Sequence, residues 1–224
     1  MKMRIQKAQI ISLLLCIALV SISVVTASTG LKGPVVDAIS FYNQAVDAAG
    51  NGSYEEAMVL IDKSLLIQHD FYLAMITKAS LLSQMGEYKD AEILLKKAEQ
   101  NHPDNPYVLA AMASLYIETG EYQKALEAAD AALEKDPFLV EAWVLKGTSY
   151  GGLGEFEEEK NASENALLID PSNPEALSNY HYASQSLIIH QKKTGQDYSE
   201  KTPLSTPALL AGVLFALVFR RVLN

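Results

Sequence analysis

Residues 84–91 read QMGEYKDA and residues 118–125 read ETGEYQKA; one period earlier stands GNGSYEEA at 50–57, and one period later GLGEFEEE at 152–159. These stretches recur every 34 residues without a gap. Gly52, Gly86, Gly120 and Gly154 fall in one column, and Tyr54, Tyr88, Tyr122 and Phe156 follow two residues on. A fixed period of this length marks a repeat architecture in which each unit stacks on its neighbours. The glycine is expected to end a helix, because it takes the left-handed backbone conformation that other residues adopt only with strain. The aromatic then covers the joint with a second, antiparallel helix.

The flanking columns have the same mechanical sense. Ala45, Ala79, Ala113 and Gly147 are small, as are Ala57, Ala91 and Ala125, and then Ser64, Ala98, Ala132 and Ala166. Small residues facing small residues let two helix axes approach closely. Phe41, Met75, Leu109 and Trp143 form a large apolar column, which makes Trp143 a packing residue. Pro103, Pro137 and Pro171 close the second helices, since the residue before a proline is driven out of helical geometry. The pattern departs in two places: His69 replaces the proline in the first unit, and Glu159 replaces the alanine in the fourth.

These positions and this length resemble the tetratricopeptide-repeat family. The resemblance implies an all-α fold: a right-handed superhelical solenoid of four helix-turn-helix units at 38–71, 72–105, 106–139 and 140–173, after a short lead-in at 28–37. Beyond it, Leu177, Tyr180, Ala183, Leu187 and Ile188 have amphipathic helical spacing, so 174–190 is expected to cap the open end. The stretch 191–203, with Gly195 and three lysines, reads as a polar linker.

Both ends of the chain are apolar. Lys2, Arg4 and Lys7 precede an apolar run from Ile10 to Val25 that closes on Thr26, Ala27 and Ser28, so 1–27 reads as a signal peptide cut after Ala27 or as an uncleaved N-terminal anchor. Either version exports the repeats. The stretch 204–221 is continuously apolar from Ala208 to Phe219 and stops at Arg220 and Arg221, a stop-transfer pattern, with a buried core helix as the competing explanation. Pro203 and Pro207 ahead of that run, and the arginine pair behind it, also resemble the C-terminal sorting tails of archaeal surface proteins. A processed tail and a plain anchor are both open. The repeats are therefore expected at the cell membrane or cell surface, outside the cytoplasm and flanked by two hydrophobic helices.

Five of the 18 basic residues sit in those terminal blocks, which leaves all 27 acidic residues facing 13 lysines and no arginine. Such a surface repels phosphate and excludes a nucleic-acid partner. The one cysteine, Cys16, lies in the N-terminal block, so a disulfide framework is excluded.

The sequence presents no catalytic constellation and no cofactor motif, and an enzyme is not expected. His69 and His102 end second helices in neighbouring units without a carboxylate or cysteine at ligand spacing, so no metal site is read. Gly151 and Gly152 lack the lysine and hydroxyl of a phosphate loop and read as a flexible turn. Glu157, Glu158 and Glu159 read as a solvated face. Asn51 and Asn161 begin Asn-x-Ser sequons and are glycosylation candidates, the former in an inter-helix turn.

The family resemblance implies that first helices line a concave, partner-binding groove through their second, fifth, ninth, twelfth and thirteenth positions. Those positions bring Tyr42, Val46, Ile76, Ser80, Tyr107, Ala110, Ser114, Glu141, Val144 and Thr148, together with Ser83 and Glu118. No lysine or arginine is among them, so the basic clamp with which some members grip a C-terminal carboxylate is missing. Tyr107, Glu118 and Glu141 are expected at the margins. The reading is a scaffold for a protein or peptide that is neutral or basic with an apolar face; the alternative is a structural spacer or assembly subunit with no groove ligand. A lysine introduced at Val144 is expected to separate the two.

Overall fold

A computed structural model describes residues 34–194, with side chains from 35 to 190. The segments read as signal or anchor, as most of the polar linker and as the C-terminal hydrophobic helix lie outside the described residues. Among the described residues no helix is long and apolar enough to cross a membrane.

Every element in the described residues is a helix: α1 (Pro34–Gly50), α2 (Tyr54–Ile67), α3 (Tyr72–Gln84), α4 (Tyr88–Asn101), α5 (Pro106–Thr119), α6 (Tyr122–Lys135), α7 (Val140–Leu153), α8 (Phe156–Ile169) and α9 (Pro174–Thr194). Two lengths differ from the sequence reading. α1 begins at Pro34, inside the stretch read as lead-in, because proline suits the first helical position, where its missing N–H costs nothing. α9 continues to Thr194, past His190 into the stretch read as linker. The chain divides into two compact units, Met1–Ala183 and Ser184–Asn224, and the described part of the second is the last part of α9.

Each inter-helix turn is built the same way. Gly52, Gly86, Gly120 and Gly154 take φ of 80°, 84°, 79° and 81°. At Gly120 its N–H reaches the Ile117 carbonyl at 3.1 Å while the Glu121 N–H reaches back to Tyr116 at 2.8 Å, and Gly154 and Glu155 repeat the pair onto Gly151 and Tyr150. This double closure satisfies carbonyls that the helix end otherwise leaves open, and it requires a positive φ. The second helices end in extended backbone at Gln68, Asp136 and Asp170. Asn105 caps α5 by accepting from the Tyr107 and Val108 N–H groups, with Pro106 in the first turn.

The small columns are the seams. Ala45, Ala57, Ala91, Ala98, Ala113, Ala125, Ala132 and Ala166 are fully buried, and Ser64 among them donates to the Ala38 carbonyl at 2.8 Å. Apolar burial runs in consecutive clusters, each shared by neighbouring units, around Tyr42 and Ile61, then Met75, Leu95 and Val108, then Leu109, Leu133 and Leu145. Fully burying a side chain of that size contributes about 1.5–3 kcal/mol relative to exposure.

In the part of α9 that belongs to the first compact unit, the buried apolar residues are Ala176 and Ala183, whereas Leu177 and Tyr182 stay about 40% exposed. The amphipathic spacing pointed to Leu177, Tyr180, Ala183, Leu187 and Ile188; in this part of the helix Ala183 is buried as expected, Tyr180 is half-buried and Leu177 is exposed. Ala176, Tyr180 and Ala183 lie three and four residues apart on one face, and bulky residues meet the array as well: Tyr182 sets its ring edge-on to Phe156 at 5.9 Å, and the Lys160 Nζ lies 5.7 Å over the Tyr180 ring. Ala176 packs with Val144 and Ala166.

Candidate partner-binding groove

The fifth-position residues do not stand open. Tyr42, Ile76, Ala110 and Val144 are at most 6% exposed, since each is held between first helices and their neighbours. Tyr42 packs its ring 5.2 Å from Phe71, and burial pushes its phenol up from the ordinary value. Val46 and Ser114 are also buried, while Ser80, Tyr107 and Thr148 keep partial exposure.

A cleft remains open between α3 and α5. Its walls include Ile76 and Ala79 of α3, and Leu95 of α4 and Leu115 of α5 line it as well. Ser80, Ser83, Ser114 and Glu118 bring the polar groups. The Ser83 hydroxyl donates to the Glu118 carboxylate across the cleft, joining the second and third units. The enclosed space is about 20 Å³, room for a single water molecule.

Farther along the array the expected groove is occupied by the chain itself. The Asn179 side-chain amide of α9 donates to the Thr148 hydroxyl at 2.9 Å and to the Val144 carbonyl at 3.4 Å. Val144 is 4% exposed under that cover. A lysine at Val144 would therefore report on the packing of α9, and does not separate the two functional readings.

Glu141, expected at the groove margin, is buried, and burial raises its carboxyl to about 7. Burial also pushes the Tyr107 phenol up, with Asp136, Tyr72 and Glu141 adding to it.

The acidic run at 157–159 is not a solvated face throughout. Glu158 is exposed, but Glu159 is 2% exposed, its Oε2 has no hydrogen-bond partner, and burial raises its carboxyl to about 7. The reason lies in α7. A Cβ at Gly151 would come within 2.6 Å of the Glu159 Oε1, and a Cβ at Gly152 would run into the Tyr122 ring. The two glycines, read as a flexible turn, are instead two close approaches inside the last turns of α7. The signal was present in the sequence as an out-of-pattern glutamate paired with an out-of-pattern glycine.

The remaining candidates are dispersed. His102 bonds the Asp70 carbonyl oxygen at 2.8 Å through Nε2 and sets its ring edge-on to Tyr72. Trp143 is half-buried, with its Nε1 donating to the Pro137 carbonyl at 2.9 Å. Among the described residues no group of three or more His, Cys, Asp and Glu is placed to hold a metal ion. Asn51 and Asn161 are both exposed, Asn51 in the turn and Asn161 on α8.

Two tetratricopeptide family models match the chain, one described as the N-terminal repeat region of Psidin over residues 44–142 and one as a tetratricopeptide repeat over residues 110–176. No curated protein matches it. Among solved structures, the thermophilic repeat protein TTC0263 of Thermus thermophilus is similar with a TM-score of 0.61 at 17% identity, covering 80% of this chain and 99% of that one. The first repeat domain of Spaghetti (RPAP3) bound to the HSP90 peptide SRMEEVD is similar with a TM-score of 0.50 at 25% identity, over 52% of this chain and 93% of that one. MamA (residues 41 to the end) from Desulfovibrio magneticus RS-1 gives 0.52 at 18% identity, over 72% and 97%.

Proposed function

The chain belongs to the tetratricopeptide-repeat family, and from that premise we propose that it is a scaffold holding a partner protein or peptide along the face of its first helices, over the cleft between α3 and α5. The observation that carries the reading is the cleft itself. The fifth positions are closed by neighbouring helices, and Val144 also by α9, while the partly exposed Ser80 and Glu118 stand at the recess and its other lining residues, Ser83 and Ser114 among them, are buried. At about 20 Å³ the recess takes one water-sized group, so it receives at most the tip of one side chain of a partner lying over it.

The Spaghetti structure is bound to a peptide that is acidic toward its end. The groove positions of this chain carry glutamates and hydroxyls instead of lysine or arginine, so its partner is neutral or basic. Export and tethering through the apolar ends belong to the same proposal, supported by Lys2, Arg4 and Lys7 ahead of one apolar run and by Arg220 and Arg221 behind the other. Glycans on the exposed Asn51 and Asn161 go with that placement.

The experiment is photo-crosslinking in intact cells with the reactive side chain at Ser80, and a control at Ile93, which is exposed on α4. One partner trapped from Ser80 and not from Ile93 supports the scaffold. Equal trapping of the chain by itself from both positions, or nothing from Ser80, sinks it in favour of a structural spacer.

A further inference from the structure

We propose that the first turn of α8 is a proton-operated latch: Glu159 holds that turn shut on α7 while it carries a proton, and its ionisation frees the turn and loosens the hold of α8 on α9. The latch belongs to the fourth unit and stands whatever the groove binds.

The geometry leaves no place for a charge. At this position the other second helices carry alanine, as Ala57, Ala91 and Ala125, each fully buried in its seam. Glu159 is buried as well, and its longer side chain reaches the backbone of α7, with Oε1 2.6 Å from where a Cβ on Gly151 would stand. Its Oε2 has no hydrogen-bond partner. A protonated carboxyl rests in such a seam at modest cost, whereas a carboxylate that is neither paired nor hydrogen-bonded does not. The charged and titratable groups on the surrounding elements are engaged elsewhere. Tyr122 of α6 lies against Gly152, and Lys146 of α7 pairs with Asp130 beside the Tyr150 ring. Lys160 of α8 reaches Glu164 and the Tyr180 ring of α9, where His181 is exposed and Tyr182 faces Phe156. Glu155, Glu157 and Glu158 add charge of the same sign.

The way to water is local. Glu159 lies in the first turn of α8, where its N–H bonds the Glu155 carbonyl at 2.9 Å, and that helix start has no side-chain cap. Gly154, at φ 81°, is the joint just ahead of it. Opening one uncapped turn hydrates the carboxylate and exposes far less surface than unfolding the unit. Phe156 begins the same turn and sets its ring edge-on to Tyr182 of α9 at 5.9 Å. Freeing the turn withdraws that contact, so α9, whose Asn179 covers Val144 and Thr148, is held less firmly above neutral pH than at pH 5.

The test is native-state amide exchange on the full chain at pH 5, 6, 7 and 8, wild type against Glu159→Gln, with Glu159→Ala as a second uncharged variant. Residues 160–163 report the turn, since their N–H groups bond the carbonyls of residues 156–159. The ratio of wild-type to variant rates cancels the intrinsic pH dependence of exchange. With the carboxyl near 7 when the turn is shut and 4.5 when it is open, that ratio should rise about seventyfold at residues 160–163 from pH 5 to pH 8, and should rise in the same direction at residues 180–183 of α9. Glu141, the other carboxyl that burial raises, is present in every chain compared and drops out of the ratio. At pH 8, exchange at residues 160–163 should also be indifferent to low concentrations of urea, as befits an opening that exposes little surface. A flat ratio at residues 160–163 overturns the latch. So does exchange there that climbs with urea as steeply as at residues 112–115 of α5, because the charge would then unfold the array and not one turn. A rise in α8 with none in α9 overturns the coupling between them.

Discussion

The fourth unit should lose stability as the pH rises through neutrality, and Glu159→Ala should remove a defined share of that loss. Burial moves the Glu159 carboxyl from 4.5 to about 7 in the folded chain. At about 1.4 kcal/mol per pH unit, the charged form is disfavoured by about 3 kcal/mol in the folded state. The folded value lies above the unfolded one, so the stabilising contribution is complete below pH 4.5, falls as the pH climbs toward 7 and is gone above it. Between pH 5 and pH 8 the loss is about 2.5 kcal/mol. Glu141 shows the same direction and a similar value, so the wild-type chain should lose about twice that much over the same interval. Glu159→Ala restores the residue type of Ala57, Ala91 and Ala125, should halve the slope, and should be the more stable chain at pH 8 by roughly 2 kcal/mol after a small cavity cost. Glu141→Gln serves as the partner control. The assay is urea unfolding at pH 5, 6, 7 and 8 followed by Trp143, the single tryptophan, which sits on α7 in the unit concerned. Parallel pH profiles for wild type and Glu159→Ala would refute the reasoning, because they would mean that the carboxyl titrates alike in the folded and unfolded chain.

Gly151→Ala should be destabilising in the wild-type chain, where the new Cβ meets the Glu159 carboxyl, and nearly neutral or better in the Glu159→Ala background; a double-mutant cycle that shows simple additivity contradicts the contact. Gly120→Ala should cost about 1 kcal/mol in a thermal melt through backbone strain alone, since φ is 79° and nothing lies within 4 Å of the added Cβ, and Gly120→Asn should cost less. Asn179→Ala should lower stability by about 1 kcal/mol and speed amide exchange in α7 near Thr148, whose hydroxyl loses a 2.9 Å partner; unchanged exchange there means that α9 does not hold the end of the array.

The turns and seams were legible because each is decided locally. A glycine at φ near 80° and an alanine at a helix crossing are demanded by backbone sterics and axis separation, and recurrence at 34 residues repeats the demand four times. The candidate site was legible only in part, because an open groove position depends on the element that comes to lie over it. Val144 and Ser80 both belong to the groove side of their first helices, yet Val144 is covered because α9 buries Ala176 beside it and sets Asn179 against the Val144 carbonyl, and nothing in the sequence of α7 states which helix will lie there. The spacing in α9 identified Ala183 but missed Ala176, because a small residue adds little to hydrophobic periodicity while a close helix contact needs one. Glu159 obeys the same logic in reverse. A glutamate in an acidic run reads as solvated until the space beside it is counted, and the missing side chain at Gly151 is that space. Departures from the repeat therefore carry more information when they come in pairs on facing helices: a large residue where a small one is due, opposite a small one where a side chain is due, states both where the polar group goes and that it is inside.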